Sequence, residues 1–325
     1  MPQFLTARLA DTLLPIVDVT NPAFAIAPSA EELAAMSAKY VEESRSQDVP
    51  PQLREALSRS RLGSGLMAAR GTFLSGLNTY LLKIGPENLP EDFEPIDRRI
   101  AASFPAVTTR LRLQDMASLM SEGLTGVLAA DDHRPIHFIN IAGGPAADTW
   151  NTLIQLKRVN RPVTDREISI SVLDVDRQGP EFGALAFEAL QAGSGPLEGM
   201  RLRFRHHLYH WGEPGELRQL FGLQGLQRSV CAVSSEGGLF EYGSDEEIAG
   251  NLTTLSELTP SDTVVVGSAC RTGELTRVHS EIGVTLRPRT PEAFRDLVEQ
   301  TGWQVDRIIE RPFSDNFRLV KRRTR

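Results

Sequence analysis

The sequence has few cysteines and no recognisable metal-binding spacing. Among 325 residues there are two, Cys231 and Cys270, and each lies within a short apolar run, SVCAV and VGSAC. This placement favours two buried free thiols in a reducing compartment over a disulfide framework. No C-x-x-C pair and no paired Cys/His spacing is present. We therefore expect no metal site.

Long apolar runs and an excess of basic charge are also absent. No stretch approaches the ~20 apolar residues of a membrane span, and MPQFLTARLADTLLPIV at the amino terminus lacks the features of a signal peptide. We therefore expect a cytoplasmic protein with no membrane partner. The net charge is −7, from 35 Lys and Arg against 42 Asp and Glu. Because sequence-independent nucleic-acid binding needs a basic face, we expect no nucleic-acid partner.

The first 130 residues have apolar residues at helical spacing, which predicts an all-α cap domain over residues 1–130. Ser29 and Glu32 form a capping-box pattern before EELAAMSAKYVEES. A further helix is predicted over 66–84. Gly71 and Gly76 lie inside it and lower its helix propensity. They indicate either helix-on-helix packing or the close approach of another backbone or a ligand.

From residue 131 onward, strand-like runs alternate with helical patterns, which predicts βαβ units and a parallel sheet. The strand-like runs cover 136–143, 167–175, 200–209, 228–235 and 262–269. At the end of the chain, WQVDRIIERPF and FRLVKRR are separated by Ser314, Asp315 and Asn316. So short a connection predicts an antiparallel pair, because a parallel return needs a crossover. We expect an α/β domain over residues 131–325 with one reversed strand near the sheet edge.

Two features at the ends of the first two strands indicate a nucleoside site. The turn after the first strand reads Asn140-Ile-Ala142-Gly143-Gly144, and its paired glycines let a ligand approach the backbone closely. Ligands of open α/β sheets bind at this edge of the sheet. Asp174 follows the second apolar run and is placed to accept hydrogen bonds from ribose hydroxyls. The alternatives are an ordinary tight turn and an acidic helix cap.

With these motifs the chain resembles the class I S-adenosylmethionine-dependent methyltransferase family. That family has a Rossmann-like, seven-stranded sheet with a reversed last strand, and AGGPAAD does not meet the G-x-G-x-x-G requirement of nicotinamide enzymes. The chain departs from the family where Asn140 replaces an acid and where Ala142 and Ala146 replace the outer glycines. The resemblance implies S-adenosyl-L-methionine as the cofactor. It places cofactor contacts on Asn140, Ala142, Gly143, Gly144, Asp174 and Ser234.

Three residues are candidates for the chemistry at a sulfonium cofactor. Glu236, just past the fourth strand, is expected on the acceptor side as a base or as the partner of an ammonium group, unless it caps the following loop. Tyr80 and Tyr242 are candidates for cation–π contact with the sulfonium. The alternative for each tyrosine is an ordinary core or surface position.

His206, His207 and His210 invite a metal interpretation that strand geometry disfavours. On a strand His206 and His210 share one face, whereas His207 points to the other. A histidine near the adenine pocket is the preferred interpretation.

These features predict an S-adenosylmethionine-dependent methyltransferase acting on a small molecule, with secondary metabolism as one setting. A helical cap shields the cleft from water and leaves little room for a macromolecule. One alternative is an enzyme that breaks another S–C bond and releases methylthioadenosine, by aminocarboxypropyl transfer or by cyclisation as in azetidine-carboxylate synthases. A second is a non-catalytic nucleoside-binding module. Exposed caps often dimerise in such enzymes, so a homodimer is an expectation and the oligomeric state stays open.

Overall fold

The computed structural model describes residues 4–45, 50–130, 133–159, 161–222, 225–281 and 283–322. The strands found in this part of the chain are β1 (Thr6–Leu9), β2 (Thr12–Pro15), β3 (Ile136–Ile141), β4 (Glu167–Asp174), β5 (Arg201–Leu208), β6 (Val230–Ser235), β7 (Val264–Cys270), β8 (Trp303–Glu310) and β9 (Ser314–Lys321). The helices are α1 (Ala30–Ser44), α2 (Pro51–Arg59), α3 (Arg61–Ala68), α4 (Gly76–Ile84), α5 (Pro95–Ala101), α6 (Phe104–Ala129), α7 (Ala147–Val159), α8 (Gln178–Gln191), α9 (Gly215–Phe221), α10 (Leu239–Tyr242), α11 (Asp245–Leu258), α12 (Glu274–Glu281) and α13 (Pro291–Glu299).

Seven of the strands form one sheet in the order β5-β4-β3-β6-β7-β9-β8. Strands β3 to β7 pair in parallel, and β9 pairs antiparallel with both β7 and β8. The predicted α/β fold, a Rossmann-like seven-stranded sheet with a reversed last strand, is confirmed. Because β3 lies between β4 and β6, the strand order reverses at its carboxyl end, where such sheets bind ligands.

The final reversal of the chain occurs earlier than predicted. Ser314, Asp315 and Asn316 were expected to form the turn, but they are the first residues of β9. They pair with the end of β7, Ser314 opposite Cys270 and Asn316 opposite Ser268. The connection between β8 and β9 is residues 311–313. Polar residues with turn propensity therefore stand in the sheet, where the backbone ladder satisfies their peptide groups.

The amino-terminal region is mainly helical, but the prediction that it is all-α is wrong, because β1 and β2 form a short antiparallel hairpin there. The predicted capping box at α1 is present: Ser29 Oγ accepts from Glu32 N at 3.1 Å, and Ser29 N donates to Glu32 Oε2 at 2.7 Å. These two bonds satisfy backbone donors at the amino end of the helix that have no partner within it.

The helix predicted over 66–84 is two helices separated by a loop. The first, α3, ends at Ala68, and α4 begins at Gly76 with Ser75 as its N-cap, whose hydroxyl accepts from Asn78 N. Between them Gly71 has φ +75°. This left-handed conformation is compatible with glycine and ends the helical path. The Gly71 N–H donates to Gly283 O at 2.8 Å, so the loop is tied to the α/β part of the chain.

One apolar core joins the amino-terminal helices to the sheet. Tyr80 and Met116 belong to the same buried cluster as Trp150, Phe182 and Ile170. A second cluster, on the other side of the sheet, contains Trp303 and Phe317, among others. Because both regions contribute to the first cluster, the domain boundary at residue 130 stays a prediction. Of the helices described above, none is long and apolar enough to cross a bilayer.

The two cysteines have the environment that their apolar flanks predict. Cys231 and Cys270 are both buried and free. Burial raises the pKa of Cys231 to about 12 and raises that of Cys270 well above its usual value. Both groups are therefore neutral thiols near pH 7, which is the unreactive form.

Candidate functional site

A cleft lies at the carboxyl ends of β3, β4 and β6, beneath α4. It contains about 600 Å³ of space free of protein atoms, part of it open to solvent. The sheet contributes the turn after β3, the end of β4, the residues after β5 and the loop after β6. The amino-terminal region contributes α4 and the loop before it. The cleft is thus built by both regions of the chain at the strand-order reversal.

The turn after β3 places glycine and alanine in unusual backbone conformations. Ala142, Gly144 and Ala146 have φ of +52°, +49° and +60°. The two alanines stand where the resemblance leads one to expect glycine, and a left-handed L-residue costs roughly 1–2 kcal/mol. This turn is therefore shaped as a glycine-rich turn although two of its positions carry a Cβ.

Asp174 is fixed directly beside this turn. Its Oδ2 accepts from Gly144 N at 2.8 Å, and its Oδ1 accepts from Asp176 N at 2.9 Å. Burial raises the pKa of Asp174, while these two backbone hydrogen bonds oppose the rise. A carboxylate offers about four acceptor positions, so each oxygen keeps one for a ligand. The spacing of a diol such as that of ribose matches this pair of oxygens.

Three glycine backbones meet at the edge of the cleft. A Cβ built on Gly76 would lie 2.5 Å from the Cα of Gly144, and one on Gly179 would lie 2.9 Å from the same atom. Of the two explanations left open for Gly76, the close approach of another backbone is the one that the structure shows, and helix-on-helix packing is not. The amino end of α4 is consequently held directly over the turn that follows β3.

The residues predicted to contact a cofactor divide into two groups. Ala142, Gly143, Gly144 and Asp174 line the cleft. Asn140 and Ser234 lie beneath it, with exposed fractions of 0% and 1%.

Asn140 instead connects β3 to the strand and helix beside it. Its amide nitrogen lies within hydrogen-bonding distance of Asp148 Oδ1 (3.0 Å), Thr149 Oγ1 (3.0 Å) and Ser234 Oγ (2.6 Å). The direct contact expected of Asn140 and Ser234 is therefore corrected to a supporting position, because neither side chain reaches the cleft.

A buried network of charges forms the end of the cleft opposite Asp174. Lys83 Nζ donates to Glu236 Oε2 at 2.8 Å, and Arg112 Nε donates to Glu236 Oε1 at 3.3 Å. Arg112 also pairs with Glu241 at 3.0 Å, and Ser268 Oγ donates to Glu241 at 2.7 Å. Glu236 thus lines the cleft with each oxygen on a cation, and its role as a base or as the partner of an ammonium group stays a prediction. The two cations come from α4 and α6, in the amino-terminal region.

Asp148 lies below this network and is coupled to it. Burial raises the pKa of Asp148 to about 6, and the charge of Glu236 adds to the rise, whereas a hydrogen bond with Ser234 and the charge of Lys83 oppose it. The carboxyl is therefore mostly ionised at pH 7 and mostly protonated at pH 5.

Aromatic side chains form the remaining wall of the cleft. The ring centroids of Phe73 and Trp211 are 5.7 Å apart, and those of Phe73 and Tyr242 are 6.2 Å apart with the planes at 67°. Tyr242 lines the cleft, and its cation–π role stays a prediction. Burial raises the pKa of Tyr242, so its phenol is neutral. Phe73 reaches this wall because the chain leaves α3 and forms the loop before α4.

Tyr80 is not part of the cleft, which corrects its prediction as a catalytic residue. Its side chain is fully buried between Trp150 and Phe182. Its hydroxyl donates to Pro15 O at 2.7 Å and accepts from Val17 N at 2.9 Å. On α4 it therefore faces the core, and Lys83, three residues later, reaches the cleft.

The histidines do not gather around a common point. His206 Nε2 lies 2.9 Å from the backbone oxygen of Asp174, whereas the ring of His207 faces Phe221 at 6.2 Å. No group of His, Cys, Asp or Glu suited to a metal ion occurs among the residues with described positions. His206 thus lies beside Asp174, and its predicted place near an adenine pocket stays a prediction.

Sequence reasoning missed Lys83, Arg112, Phe73 and Trp211. Lys83 had a signal, since it is a basic residue inside the otherwise apolar run YLLKI, whereas Arg112 had none, because it lies among the polar residues of TTRLRLQD. Such residues are rarely buried unless they are paired. Phe73 had none, because its position depends on the break between α3 and α4.

No protein-family model and no curated protein matches the sequence. Among solved structures, a protein described as a possible exported protein from Bordetella parapertussis is 17% identical, with a TM-score of 0.57 over 91% of this chain and 99% of that one. An O-methyltransferase family protein from Burkholderia thailandensis is 13% identical, with a TM-score of 0.45 over 98% of this chain and 80% of that one. The 1,6-didemethyltoxoflavin-N1-methyltransferase of the same organism is 14% identical, with a TM-score of 0.42 over 65% and 78%. The first similarity supports the fold alone. It covers 91% of this chain, whereas residues 131–325 make up about three fifths of it, so the similarity extends into the amino-terminal region. Independently of these comparisons, the order of the seven strands and the reversed β9 agree with the sheet that the resemblance to class I methyltransferases implies.

Proposed function

We propose that the protein is an S-adenosylmethionine-dependent methyltransferase that acts on a small molecule. The observation that carries the proposal is the junction of the turn after β3 with the end of β4, where Gly144 N donates to Asp174 Oδ2 at 2.8 Å. This junction puts an acceptor pair for a ribose diol and a close-approach backbone in one cleft, at the strand-order reversal where such sheets bind nucleotides.

The residues present fit this cofactor at three places. Asp174 has free acceptor positions for two hydroxyls, and Gly143 and Gly144 leave space for close approach. Tyr242 and Trp211 offer aromatic surface to an adenine ring or to a sulfonium cation. When bound, S-adenosylmethionine supplies a methyl group activated by a positively charged sulfur. The protein's main task is then to hold an acceptor in line, which can lower a barrier by roughly 7 kcal/mol or more.

A small acceptor is favoured by the way the cleft is covered. Residues 1–130 serve as a cap in this proposal: α4 lies over the turn after β3, and Phe73 closes the aromatic wall. A covered cleft excludes water and leaves no broad surface on which a macromolecule could dock.

Calorimetry with S-adenosylmethionine tests the proposal, using wild type, Asp174→Ala and the matched control Asp176→Ala. We expect micromolar-range binding by wild type and by the control, and a loss of roughly tenfold or more for Asp174→Ala, because hydrogen bonds to a charged group contribute about 1.5–3 kcal/mol. No binding by wild type, or equal binding by Asp174→Ala, would contradict the proposal.

The nucleoside product separates methyl transfer from other cleavage of the cofactor. Purified protein is incubated with the cofactor and a panel of small hydroxyl, amine and thiol acceptors, and the products are identified by mass spectrometry. S-adenosylhomocysteine supports the proposal. Methylthioadenosine as the sole product would assign the alternative reaction, in which the bond to the aminocarboxypropyl group breaks.

A further inference from the structure

One face of α4 runs along the cleft from the proposed ribose end to the charged end. Gly76, Thr79 and Lys83 all line the cleft, and their spacing of three and seven residues puts them on one side of a helix. Gly76 packs on Gly144, beside Asp174. Lys83 lies seven residues further, about 10 Å along the axis at 1.5 Å per residue.

The ammonium group of Lys83 has unused hydrogen-bonding capacity in a buried position. The Lys83 and Glu236 side chains are each 6% exposed. A lysine ammonium has three donors, and within the described chain the hydrogen bond of Lys83 is the one to Glu236. A buried ion is costly unless it is fully hydrogen-bonded. The remaining donors of Lys83 therefore favour a ligand with an anionic oxygen.

The charges that face the cleft at this end are of both signs. Three charged residues line the cleft: Asp174 at one end, and Lys83 with Glu236 at the other. A ligand group of a single charge would be attracted by one member of the Lys83–Glu236 pair and repelled by the other. An α-amino acid group carries a carboxylate and an ammonium on neighbouring atoms, so it can satisfy both members together.

We propose that Lys83 and Glu236 bind the amino acid group of the cofactor, Lys83 its carboxylate and Glu236 its ammonium. The inference rests on the proposed function and adds a specific residue to it: a cofactor ligand supplied by the amino-terminal region. Arg112 stays on Glu236 and Glu241 and keeps the carboxylate of Glu236 oriented. Cofactor binding then depends on the position of α4. The amino-terminal region and the bound cofactor would therefore stabilise each other.

Ligands with and without this group test the inference by calorimetry on the wild-type chain. S-adenosylhomocysteine has the complete amino acid group, and methylthioadenosine lacks it. We expect S-adenosylhomocysteine to bind roughly 10- to 100-fold more tightly, the range for charge-assisted hydrogen bonds. Decarboxylated S-adenosylmethionine keeps the ammonium and lacks the carboxylate, and we expect it to bind more weakly than S-adenosylmethionine. Equal affinities within either pair would overturn the inference.

The variant Lys83→Met assigns the difference to this residue. We expect it to lose most of the preference for S-adenosylhomocysteine over methylthioadenosine while keeping its affinity for methylthioadenosine within about twofold, with Lys83→Arg retaining part of the preference. An equal loss for both ligands, or none for either, would overturn the role of Lys83. The double variant Lys83→Met with Glu236→Gln removes both buried charges and gives the same readout if the single variant does not fold.

Failure of the inference differs from failure of the proposed function. If wild type binds none of these nucleosides, the proposed function fails and the inference fails with it. If wild type binds S-adenosylhomocysteine and methylthioadenosine equally, the nucleoside site stands and the role of the Lys83–Glu236 pair is refuted.

Discussion

The contact between α4 and the turn after β3 predicts the effect of a single methyl group. Gly76→Ala would place a Cβ 2.5 Å from the Cα of Gly144, 3.3 Å from its nitrogen and 3.5 Å from Asp174 Oδ2. Ordinary contacts begin near 3.4 Å, so the two backbones must separate by about 0.9 Å. No rotamer change can relieve this contact, because the nearest atom belongs to the main chain.

The expected cost follows from two opposing effects. Overpacking of a well-packed site costs typically 1–3 kcal/mol. Alanine in place of glycine gains up to about 1 kcal/mol from helix propensity, and less at the first residue of a helix. We therefore expect Gly76→Ala to lower the free energy of unfolding by about 1–2 kcal/mol.

Gly126→Ala is the matched control, because it makes the same change in a helix where space is open. Gly126 lies on the exposed side of α6, and a Cβ there would meet nothing within 4 Å. We expect this control to gain about 0.5–1 kcal/mol. Urea denaturation of both variants at unchanged m-value gives the comparison. If Gly76→Ala were stabilised like Gly126→Ala, the close approach of α4 to Gly144 would be refuted.

Two further predictions concern residues outside the cleft lining. Tyr80→Phe removes the hydroxyl that joins Pro15 O and Val17 N. We therefore expect the free energy of unfolding, measured by urea denaturation, to fall by about 1–3 kcal/mol. The affinity for S-adenosylhomocysteine in calorimetry should not change, and a fall in that affinity would show that Tyr80 belongs to the site. Asp148 has a pKa of about 6 in the folded protein against an ordinary value of 3.8. Its ionisation therefore opposes folding, and the free energy of unfolding falls by up to about 3 kcal/mol as pH rises from 4 through 6. We expect Asp148→Asn to flatten this part of the stability profile in urea denaturation, and an unchanged profile would contradict the raised pKa.

The sequence predicted the sheet and one end of the site well, because these depend on local patterns. Buried parallel strands are short apolar runs separated by helical patterns, and the order of such elements limits the topology to few arrangements. Gly144 and Asp174 could be found because Gly144 lies in the turn after β3 and Asp174 is the last residue of β4, and strand ends of a parallel sheet meet at one edge. The hydrogen bond from Gly144 N to Asp174 Oδ2, at 2.8 Å, joins these two strand ends.

The other end of the site could not be predicted, because it depends on contacts between distant parts of the chain. Lys83 and Glu236 are 153 residues apart, and Arg112 is 124 residues from Glu236. Helical periodicity predicts that α4 has a buried face, but it does not predict the surface on which that face packs. Tyr80 and Lys83 are three residues apart, and only the packing of α4 on both the core and the cleft decided which one faces the ligand space.

The amino-acid sequence by itself determined the class of fold, the reversed last strand, the buried thiols and the residues at the ends of β3 and β4. These follow from periodicity, from composition and from the shortness of the last connection, which are local features of the sequence. The tertiary structure decided the break between α3 and α4, the burial of Asn140 and Tyr80, and the ion pairs of Lys83 and Arg112. Each of these depends on contacts between segments that are far apart in the sequence, and a local sequence pattern does not specify such contacts.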